Sequence, residues 1–369
     1  MGRMPAPTRR RILLFFALML TAFCALYLFG GKGPPKPGDV LWRQSAGKWT
    51  PNIGAADGVV YYPTYNFVRI AGHYIGFLAS YRLTAREART GKRIWRVAAK
   101  EPGGWAPAVS KGSVCVSTGY SLYAVDAKTG GFKWDAPRDV SSSFMAPSGT
   151  GGDIIVPMGV FLEALDAKTG TQKWLFNGGS MIVSWAVSGG FAFVTTWNKE
   201  MFAVDIATGK EKWTKGAGAA RVTGAADGMA LCTGQDGALV ALDGATGAEA
   251  WRFDTQGLAK TPIAAGGDAV YVATRSVLHA IDARTGKERW ATNTVDEALC
   301  APCIGDGVVY VATRGNALVA VDTSRGAEKW RANLPRAPAS GLVFSDGVIV
   351  FATADGYVYA VKADEQEPR

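Results

Sequence analysis

The 369-residue sequence predicts an all-β fold, an eight-bladed β-propeller of four-stranded antiparallel blades preceded by one N-terminal transmembrane helix. Three observations support this prediction: tryptophans that return at a regular interval, a turn motif that accompanies them, and one long uncharged run near the amino end. The 46 glycines and 12 tryptophans are typical of short strands joined by many tight turns. This composition argues against a helical bundle.

A motif of the form Ala-Val/Leu-Asp-Ala-x-Thr-Gly-x-x-x-Trp recurs along the chain. Its tryptophans from Trp95 to Trp330 lie 38 to 40 positions apart, which is the period of a four-stranded blade. The alternating residues before the Asp predict a half-buried strand, and the Asp and Gly predict a turn, because Asp accepts backbone hydrogen bonds and Gly adopts positive φ. We expect structural docking tryptophans, packed between neighbouring sheets, at Trp42, Trp95, Trp134, Trp174, Trp213, Trp251, Trp290 and Trp330.

A second turn of the Asp-Gly type, such as Asp57-Gly58, precedes another buried strand in each repeat. The tryptophans and these strands each indicate eight blades. The last repeat ends at Val361 without a tryptophan strand, whereas Leu41-Trp42 comes before the first inner strand. The amino-terminal strand is therefore predicted to complete the last sheet, which removes the free edges of the ring.

These motifs resemble the tryptophan-docking repeat of the pyrroloquinoline-quinone-like (PQQ-like) propeller family, over residues 39–363. The family contains quinone-dependent dehydrogenases and non-catalytic members such as BamB of the outer-membrane β-barrel assembly machinery. The resemblance implies a propeller, and the BamB-like members imply a protein-binding scaffold in an envelope assembly. The dehydrogenases carry a vicinal Cys-Cys pair and calcium ligands. The sequence has no Cys-Cys dipeptide and no clustered carboxylate motif, so we expect no catalytic residues, no cofactor and no bound metal.

Residues 12–31 form an uncharged apolar run that follows three arginines at positions 9–11. As a helix, these residues would span about 30 Å, the thickness of the hydrocarbon core. Positive charge before the run predicts that residues 1–11 stay in the cytoplasm, with the chain anchored in the inner membrane and the propeller in the periplasm or outside. A cleaved signal peptide is the alternative, but the run lacks a small-x-small cleavage site. Residues 32–38 are predicted to form a linker, and residues 364–369 a tail.

The formal net charge is +9, and six of the positive charges flank the hydrophobic N-terminal run. The remainder of the chain is only mildly basic. A nucleic-acid-binding surface needs Lys and Arg gathered on one stripe beside aromatic residues, and the sequence has no such pattern. We therefore expect envelope or membrane proteins as partners, and no nucleic acid.

In a propeller, the loops that enter the inner strands share one face with the loops between second and third strands. The residues near the start of the inner strands are aromatic, sulfur-containing or basic, which is typical of protein interfaces. They predict partner binding by Trp49, Trp105, Met145, Trp185, Arg221 and Lys260. The alternative is that these side chains plug the channel and pack blade against blade. Arg275 and Arg314 follow Val-Ala-Thr in consecutive blades and are predicted to lie on the same face as a small basic pair that also contacts the partner.

The interval from Trp42 to Trp95 is 53 positions, roughly fourteen more than the other intervals. The additional residues fall between Tyr65 and Tyr81. Long loops on rigid scaffolds are often binding elements. We therefore predict that partner contacts also come from Tyr65, Phe67, Arg69, His73 and Tyr74. The alternative is an extended hairpin that shields the first blade.

Cys300-Ala-Pro-Cys303 is the most distinctive chemical feature of the sequence. Its spacing permits a disulfide, which an exported location favours. Free thiols, a redox pair and half of a metal site are the alternatives. A quinone-binding or redox protein that uses the channel mouth together with Cys300 and Cys303 is therefore the alternative to the scaffold.

Overall fold

The structure, a computed structural model, describes residues 35–47, 51–70, 73–99, 105–118, 121–137, 145–217, 220–234, 236–255, 263–294 and 296–363, without the side chains of 66–80 and 137. The predicted transmembrane segment at 12–31 lies outside the described residues. Contacts divide the chain into two units, Met1–Lys36 and Pro37–Arg369, and the second contains the propeller. Within the described ranges, no helix is long and apolar enough to cross a membrane.

The described residues form eight four-stranded antiparallel sheets, which confirms the predicted all-β, eight-bladed propeller. Blade 1 consists of β2 (Gly54–Ala56), β3 (Val59–Ile70), β4 (His73–Glu87) and β5 (Arg93–Ala99). Blade 2 consists of β6 (Ala108–Ser110), β7 (Ser113–Ser117), β8 (Ser121–Asp126) and β9 (Phe132–Pro137). Blade 3 consists of β10 (Ser148–Thr150), β11 (Asp153–Met158), β12 (Phe161–Asp166) and β13 (Gln172–Asn177). Blade 4 consists of β14 (Ile182–Ser188), β15 (Phe191–Thr196), β16 (Glu200–Asp205) and β17 (Glu211–Gly216).

The second half of the ring repeats this order until the last sheet. Blade 5 consists of β18 (Arg221–Ala226), β19 (Met229–Thr233), β20 (Leu239–Asp243) and β21 (Glu249–Phe253). Blade 6 consists of β22 (Ala264–Gly266), β23 (Ala269–Thr274), β24 (Val277–Asp282) and β25 (Glu288–Asn293). Blade 7 consists of β26 (Cys303–Gly305), β27 (Val308–Ala312), β28 (Ala317–Asp322) and β29 (Glu328–Asn333). Blade 8 consists of β30 (Val343–Ser345), β31 (Val348–Ala352), β32 (Tyr357–Lys362) and β1 (Val40–Ser45).

The first strand of each blade is the innermost one, and contacts between first strands of neighbouring blades run around the whole ring, except that β14 meets blade 3 through β11. The turn from the first to the second strand is tight. At Asp57 and Gly58 both central residues have positive φ, 51° and 74°, as a two-residue type I′ hairpin requires. The Asp-Gly turns are therefore hairpins, as the sequence predicts.

The turn from the third to the fourth strand is held by its aspartate. In blade 5, Asp243 Oδ1 accepts hydrogen bonds from the backbone N–H groups of Ala245 and Thr246, at 3.1 and 2.8 Å, and from Thr246 Oγ1 at 2.8 Å. These bonds favour the charged carboxylate and lower the pKa of Asp243 below its usual value. The same turn, with a lowered aspartate pKa, recurs at Asp126, Asp166, Asp205, Asp282 and Asp322.

Each docking tryptophan joins its blade to the next through what we call the indole latch. The Nε1–H of the tryptophan donates to the backbone carbonyl of the residue that follows the third strand of the next blade, at 2.7 to 3.1 Å. The eight pairs are Trp42–Ala88, Trp95–Ala127, Trp134–Ala167, Trp174–Ile206, Trp213–Gly244, Trp251–Ala283, Trp290–Thr323 and Trp330–Ala363.

The turn glycine makes room for the indole of the preceding blade. At Gly286, which has a φ of 70°, an added Cβ would lie 2.6 Å from the Trp251 ring. Both the backbone conformation and the space therefore require glycine at this position. The Thr-Gly turn and the tryptophan are thus two halves of one contact, which explains why they recur together in the sequence.

The two ends of the propeller complete the last latch. Strand β1 pairs antiparallel with β32, with Trp42 opposite Ala360, so the predicted closure of the ring is confirmed. Gly38 lies four residues before Trp42, has a φ of 88° and donates its N–H to the carbonyl of Lys362 at 2.8 Å. The amino-terminal segment therefore supplies the Gly-x-x-x-Trp half of the motif that the last repeat lacks.

Replacing Trp251 should destabilise the propeller in two distinguishable steps. Trp251→Phe removes the N–H that donates to Ala283 and leaves a buried carbonyl without its donor, at a cost of about 1–3 kcal/mol. Trp251→Ala also opens a cavity, and the expected loss is about 3–5 kcal/mol. Urea unfolding measures both. The control is Trp197→Ala, expected within about 0.5 kcal/mol because Trp197 is 70% exposed; equal losses at both sites would contradict the latch.

The turn aspartates should make the stability fall in acid. Because their pKa values are lower in the folded protein than the usual value of about 3.9, the unfolded chain binds more protons in this range. Their stabilising contribution is therefore complete above about pH 4 and is lost as the pH falls through the folded-state values. Thermal unfolding between about pH 5 and 2 measures this slope. Asp205→Asn should flatten it, and an unchanged slope would show that these carboxylates do not cause it.

Candidate partner-binding face

The connections of each blade lie on two opposite faces of the ring. The loop face carries the segments that run from the outer strand of one blade to the inner strand of the next, and the turns between second and third strands. The turn face carries the Asp-Gly turns and the Asp-x-x-Thr-Gly turns. Because the latched blades form a rigid ring, side chains on the loop face are held in fixed relative positions.

Two of the six predicted rim residues are exposed on the loop face. Trp105, just before β6, is 42% exposed, which is unusual for so large an apolar side chain. Arg221 is the first residue of β18 and is also exposed. Trp49 and Lys260 lie outside the described residues. The predicted rim is therefore represented by Trp105 and Arg221, an aromatic and a basic side chain.

Met145 and Trp185 are only half-buried and have a packing role. Both pack against the core cluster between blades 3 and 4, which includes Phe176 and Phe202. The carbonyl of Met145 accepts a hydrogen bond from Ser117 Oγ at 3.2 Å. Both residues therefore take part in the blade-to-blade packing that the sequence left open as the alternative, and partner contacts from them stay a prediction.

The additional residues of blade 1 lengthen the hairpin formed by β3 and β4. Tyr65 lies in β3, is 7% exposed and packs edge-on against Tyr81, with ring centroids 5.9 Å apart. Burial raises the pKa of Tyr65 to about 12. The backbone of the predicted contact residues Phe67, Arg69, His73 and Tyr74 belongs to this hairpin, but their side chains are not among those described. The insertion is thus an extended hairpin, and partner contacts along it stay a prediction.

Arg275 and Arg314 lie in equivalent turns between second and third strands of blades 6 and 7, and both are exposed on the loop face. Arg314 Nε lies 2.8 Å from Glu297 Oε2. Its charge is therefore locally compensated. Arg275 has no carboxylate at salt-bridge distance among the described residues.

Cys300 and Cys303 are free thiols in the structure, so the possible disulfide is not formed. Cys303 is buried and Cys300 is half-buried. Burial raises the pKa of both thiols, whereas a reactive thiol needs a lowered pKa. In the described part of the chain, no group of three or more His, Cys, Asp or Glu residues is placed to bind a metal. Of the alternatives open in the sequence, the structure has buried free thiols.

Among the large apolar side chains that the structure describes, the most exposed one is a tryptophan that the sequence motifs do not single out. Trp197 lies in the turn between β15 and β16 on the loop face and is 70% exposed. Its backbone N–H donates to the carbonyl of Met181 at 2.7 Å, and Met181 is 49% exposed. The sequence contained a signal, because Trp197 falls outside the docking interval and directly follows a strand. Trp197 and Met181 together form an exposed apolar patch.

A cleft of about 400 Å³ opens between blades 4 and 5. At the seam between blades 3 and 4, Phe176 and Phe202 fill the space, with ring centroids 5.4 Å apart. The corresponding residues of the next seam are Lys215 and Val240, and both line the cleft. The aromatic pair of the preceding seam is thus replaced here by a lysine and a valine. The cleft lies next to the turn that carries Trp197. Ala217 on the cleft wall donates its N–H to the carbonyl of Lys199, two residues after Trp197, at 2.7 Å.

Comparison with known proteins places the chain in a family. The family model described as outer membrane protein assembly factor BamB matches residues 34–174, 158–299 and 275–367, which together span nearly the whole propeller. The chain belongs to this BamB family. The PQQ-like resemblance seen in the repeats is thereby confirmed. No curated protein sequence matches the chain.

Several solved structures share the fold. BamB from Moraxella catarrhalis is 16% identical, with a TM-score of 0.64, and the match covers 90% of this chain and 99% of that one. The computationally designed Ika8 protein is 13% identical, with a TM-score of 0.67, over 86% and 99%. Quinohemoprotein alcohol dehydrogenase from Comamonas testosteroni is 15% identical, with a TM-score of 0.62, over 90% and 77%. At these identities the likeness shows the fold alone, since one propeller scaffold serves binding proteins and enzymes.

Proposed function

We propose that this BamB-family chain is a non-catalytic scaffold that binds other envelope or membrane proteins through the loop face of its propeller. The observation that carries the proposal is the exposure of large apolar side chains on that face, above all Trp197 at 70% and Trp105 at 42%. Tryptophan is among the residues that contribute most to protein interfaces, because a rigid ring buries a large area at little entropic cost. The matching family is described by a role in assembly, which agrees with a scaffold.

The patch of Trp197 and Met181 and the cleft between blades 4 and 5 supply complementary features for such a partner. An exposed ring can enter a pocket of the partner, and the cleft can receive an apolar side chain in return. The residues that contribute most of the binding energy of an interface are usually large side chains that fill well-packed pockets near its centre. Lys215 lies at the cleft, so an acidic residue beside the inserted side chain would add charge complementarity. Arg252, also at the cleft, already pairs with Asp236 and Glu249.

The proposal includes the predicted membrane anchor at residues 12–31. Its support is the length of the uncharged run, the arginines before it and the Pro- and Gly-rich linker at 32–38. In this arrangement residues 1–11 remain in the cytoplasm and the propeller lies in the periplasm or outside the cell. The scaffold would then meet its partners at the surface of the inner membrane, and nucleic acid would have no part in its function.

The quinone-binding or redox alternative depends on Cys300 and Cys303 near the channel mouth. The fold of the quinohemoprotein dehydrogenase is compatible with that alternative. The raised pKa values of the two thiols weigh against it, because a thiol acts as a nucleophile only when it is deprotonated. The geometry therefore supports protein binding best.

The proposal predicts that loop-face tryptophans are needed for partner capture. The full chain, cross-linked in its own membranes and purified by affinity tag, should recover a protein partner in stoichiometric amount. Trp197→Ala and Trp105→Ala should each reduce recovery about tenfold or more, since such anchors contribute about 2 kcal/mol or more.

Phe132→Ala is the matched control, because Phe132 is 63% exposed but lies at the start of β9, beside the turn face. It should leave recovery unchanged. A lone protein without a partner, or equal loss in all three variants, would contradict the proposal. All three variants should keep the melting temperature of the wild type, since exposed residues contribute little to stability.

A further inference from the structure

Four arginines gather at the seam where blade 8 closes on blade 1. Arg82 and Arg86 lie on β4, and Arg93 and Arg96 lie on the neighbouring β5. Arg86 faces Arg93 directly across the two strands, and Arg96 faces Thr84, the residue between the two arginines of β4 on the same side. Successive positions on one face of a strand are about 7 Å apart. We call these four residues the seam arginines.

Arg86 is fixed in place by neutral acceptors. Its Nε donates to the Tyr62 hydroxyl at 2.9 Å, one terminal nitrogen donates to Gln44 Oε1 at 3.2 Å, and the other donates to the carbonyl of Gly91. Arg96 donates to Thr64 Oγ1 at 3.3 Å. These bonds orient the guanidinium groups but leave their positive charges uncompensated.

Most of the other arginines whose side chains the structure describes have a carboxylate within 4 Å, whereas Arg43, Arg221 and Arg275 do not. The paired ones are Arg89, Arg252, Arg284, Arg289, Arg314, Arg325, Arg331 and Arg336. Among the described residues, no carboxylate lies at that distance from any seam arginine. Burial, together with the charges of Arg82 and Arg93, lowers the pKa of Arg96.

Two other blades use the same positions for an ion pair. Counted from the docking tryptophan, Arg93 and Arg96 correspond to Glu328 and Arg331 in blade 7, whose charged groups lie 2.8 Å apart. They also correspond to Glu249 and Arg252 in blade 5, at 3.2 Å. In blade 1 the glutamate of this pair is replaced by an arginine. Like charges that face each other across strands destabilise a sheet unless an anion compensates them.

We propose that the seam arginines form a binding site for a phosphate-bearing ligand on the outer flank of blade 1. Guanidinium groups bind phosphate oxygens through paired hydrogen bonds, and a doubly charged phosphate compensates two arginines where a single carboxylate compensates one. Arg86 with Arg93 forms one level, and Arg96 opposite Thr84 lies about 7 Å further along the face. Arg82 opposite Ala98 lies one position beyond it, so the face accommodates two phosphate groups. This function is separate from partner binding on the loop face and does not depend on it.

The test uses the full chain and thermal unfolding with inorganic phosphate and pyrophosphate, against sodium chloride at equal ionic strength. A ligand that binds only the folded state raises the melting temperature in a saturable way. The wild type should show this rise. Arg93→Glu restores the ion pair of blades 5 and 7, so it should fold well and bind pyrophosphate about tenfold more weakly or worse, since one charge-assisted bond is worth about 1.5–3 kcal/mol.

Arg331→Gln is the control, because it removes an arginine of the matching position in blade 7 and should bind pyrophosphate like the wild type. Vesicles of phosphatidylcholine with and without phosphatidic acid identify the source of the phosphate. Stronger binding of wild type than of Arg93→Glu to the acidic vesicles supports a lipid headgroup, and a difference with pyrophosphate alone supports a soluble ligand. No saturable rise with either salt, an equal response of Arg93→Glu, or binding of polyglutamate without binding of phosphate overturns the proposal.

Discussion

The indole latch is the interaction on which the rest of the propeller depends. A four-stranded blade cannot bury both faces by itself, so each sheet needs a fixed neighbour. The latch supplies it with three matched parts: a donor on the ring, a carbonyl at the end of the third strand, and a glycine whose missing Cβ leaves room for the ring. In each blade the tryptophan also faces an alanine on the third strand, such as Ala280 opposite Trp290, which provides further space. A larger residue in place of the turn glycine would overlap the indole ring, and a smaller residue in place of the tryptophan would leave a cavity and an unpaired carbonyl.

A ring fixed in this way can vary its sequence wherever the latch is not involved, and the features of functional interest lie at such departures from the repeat. The cleft is lined by Lys215 and Val240, at the positions where the preceding seam has a pair of aromatic rings. The seam arginines exist because Arg93 stands where other blades have glutamate. Trp197 is exposed in a turn that takes no part in an indole latch. These departures set individual blades apart from the chain's own repeat.

The sequence predicts the parts of the structure that depend on local spacing. The docking tryptophans, the two turn types and the pairing of Leu41-Trp42 with the last repeat all follow from periodicity, and the structure confirms them. Exposure does not follow from spacing, because it depends on the neighbouring blade: Trp105 is exposed, whereas Trp185 packs into the core between blades 3 and 4. The cluster of seam arginines could not be predicted from the sequence, because it depends on the register between β4 and β5, which no sequence motif specifies.

We expect the latch assembled from the two ends of the propeller to be as strong as the latches within the continuous chain. Native-state hydrogen exchange tests it most directly, by comparing the indole N–H of Trp42 and the amides of β1 with the indole N–H of Trp251 and the amides of β21. The account predicts that both sets open with free energies that agree within about 1 kcal/mol, through global unfolding. Exchange of β1 and Trp42 at a much lower free energy, as from a frayed terminus, would contradict it.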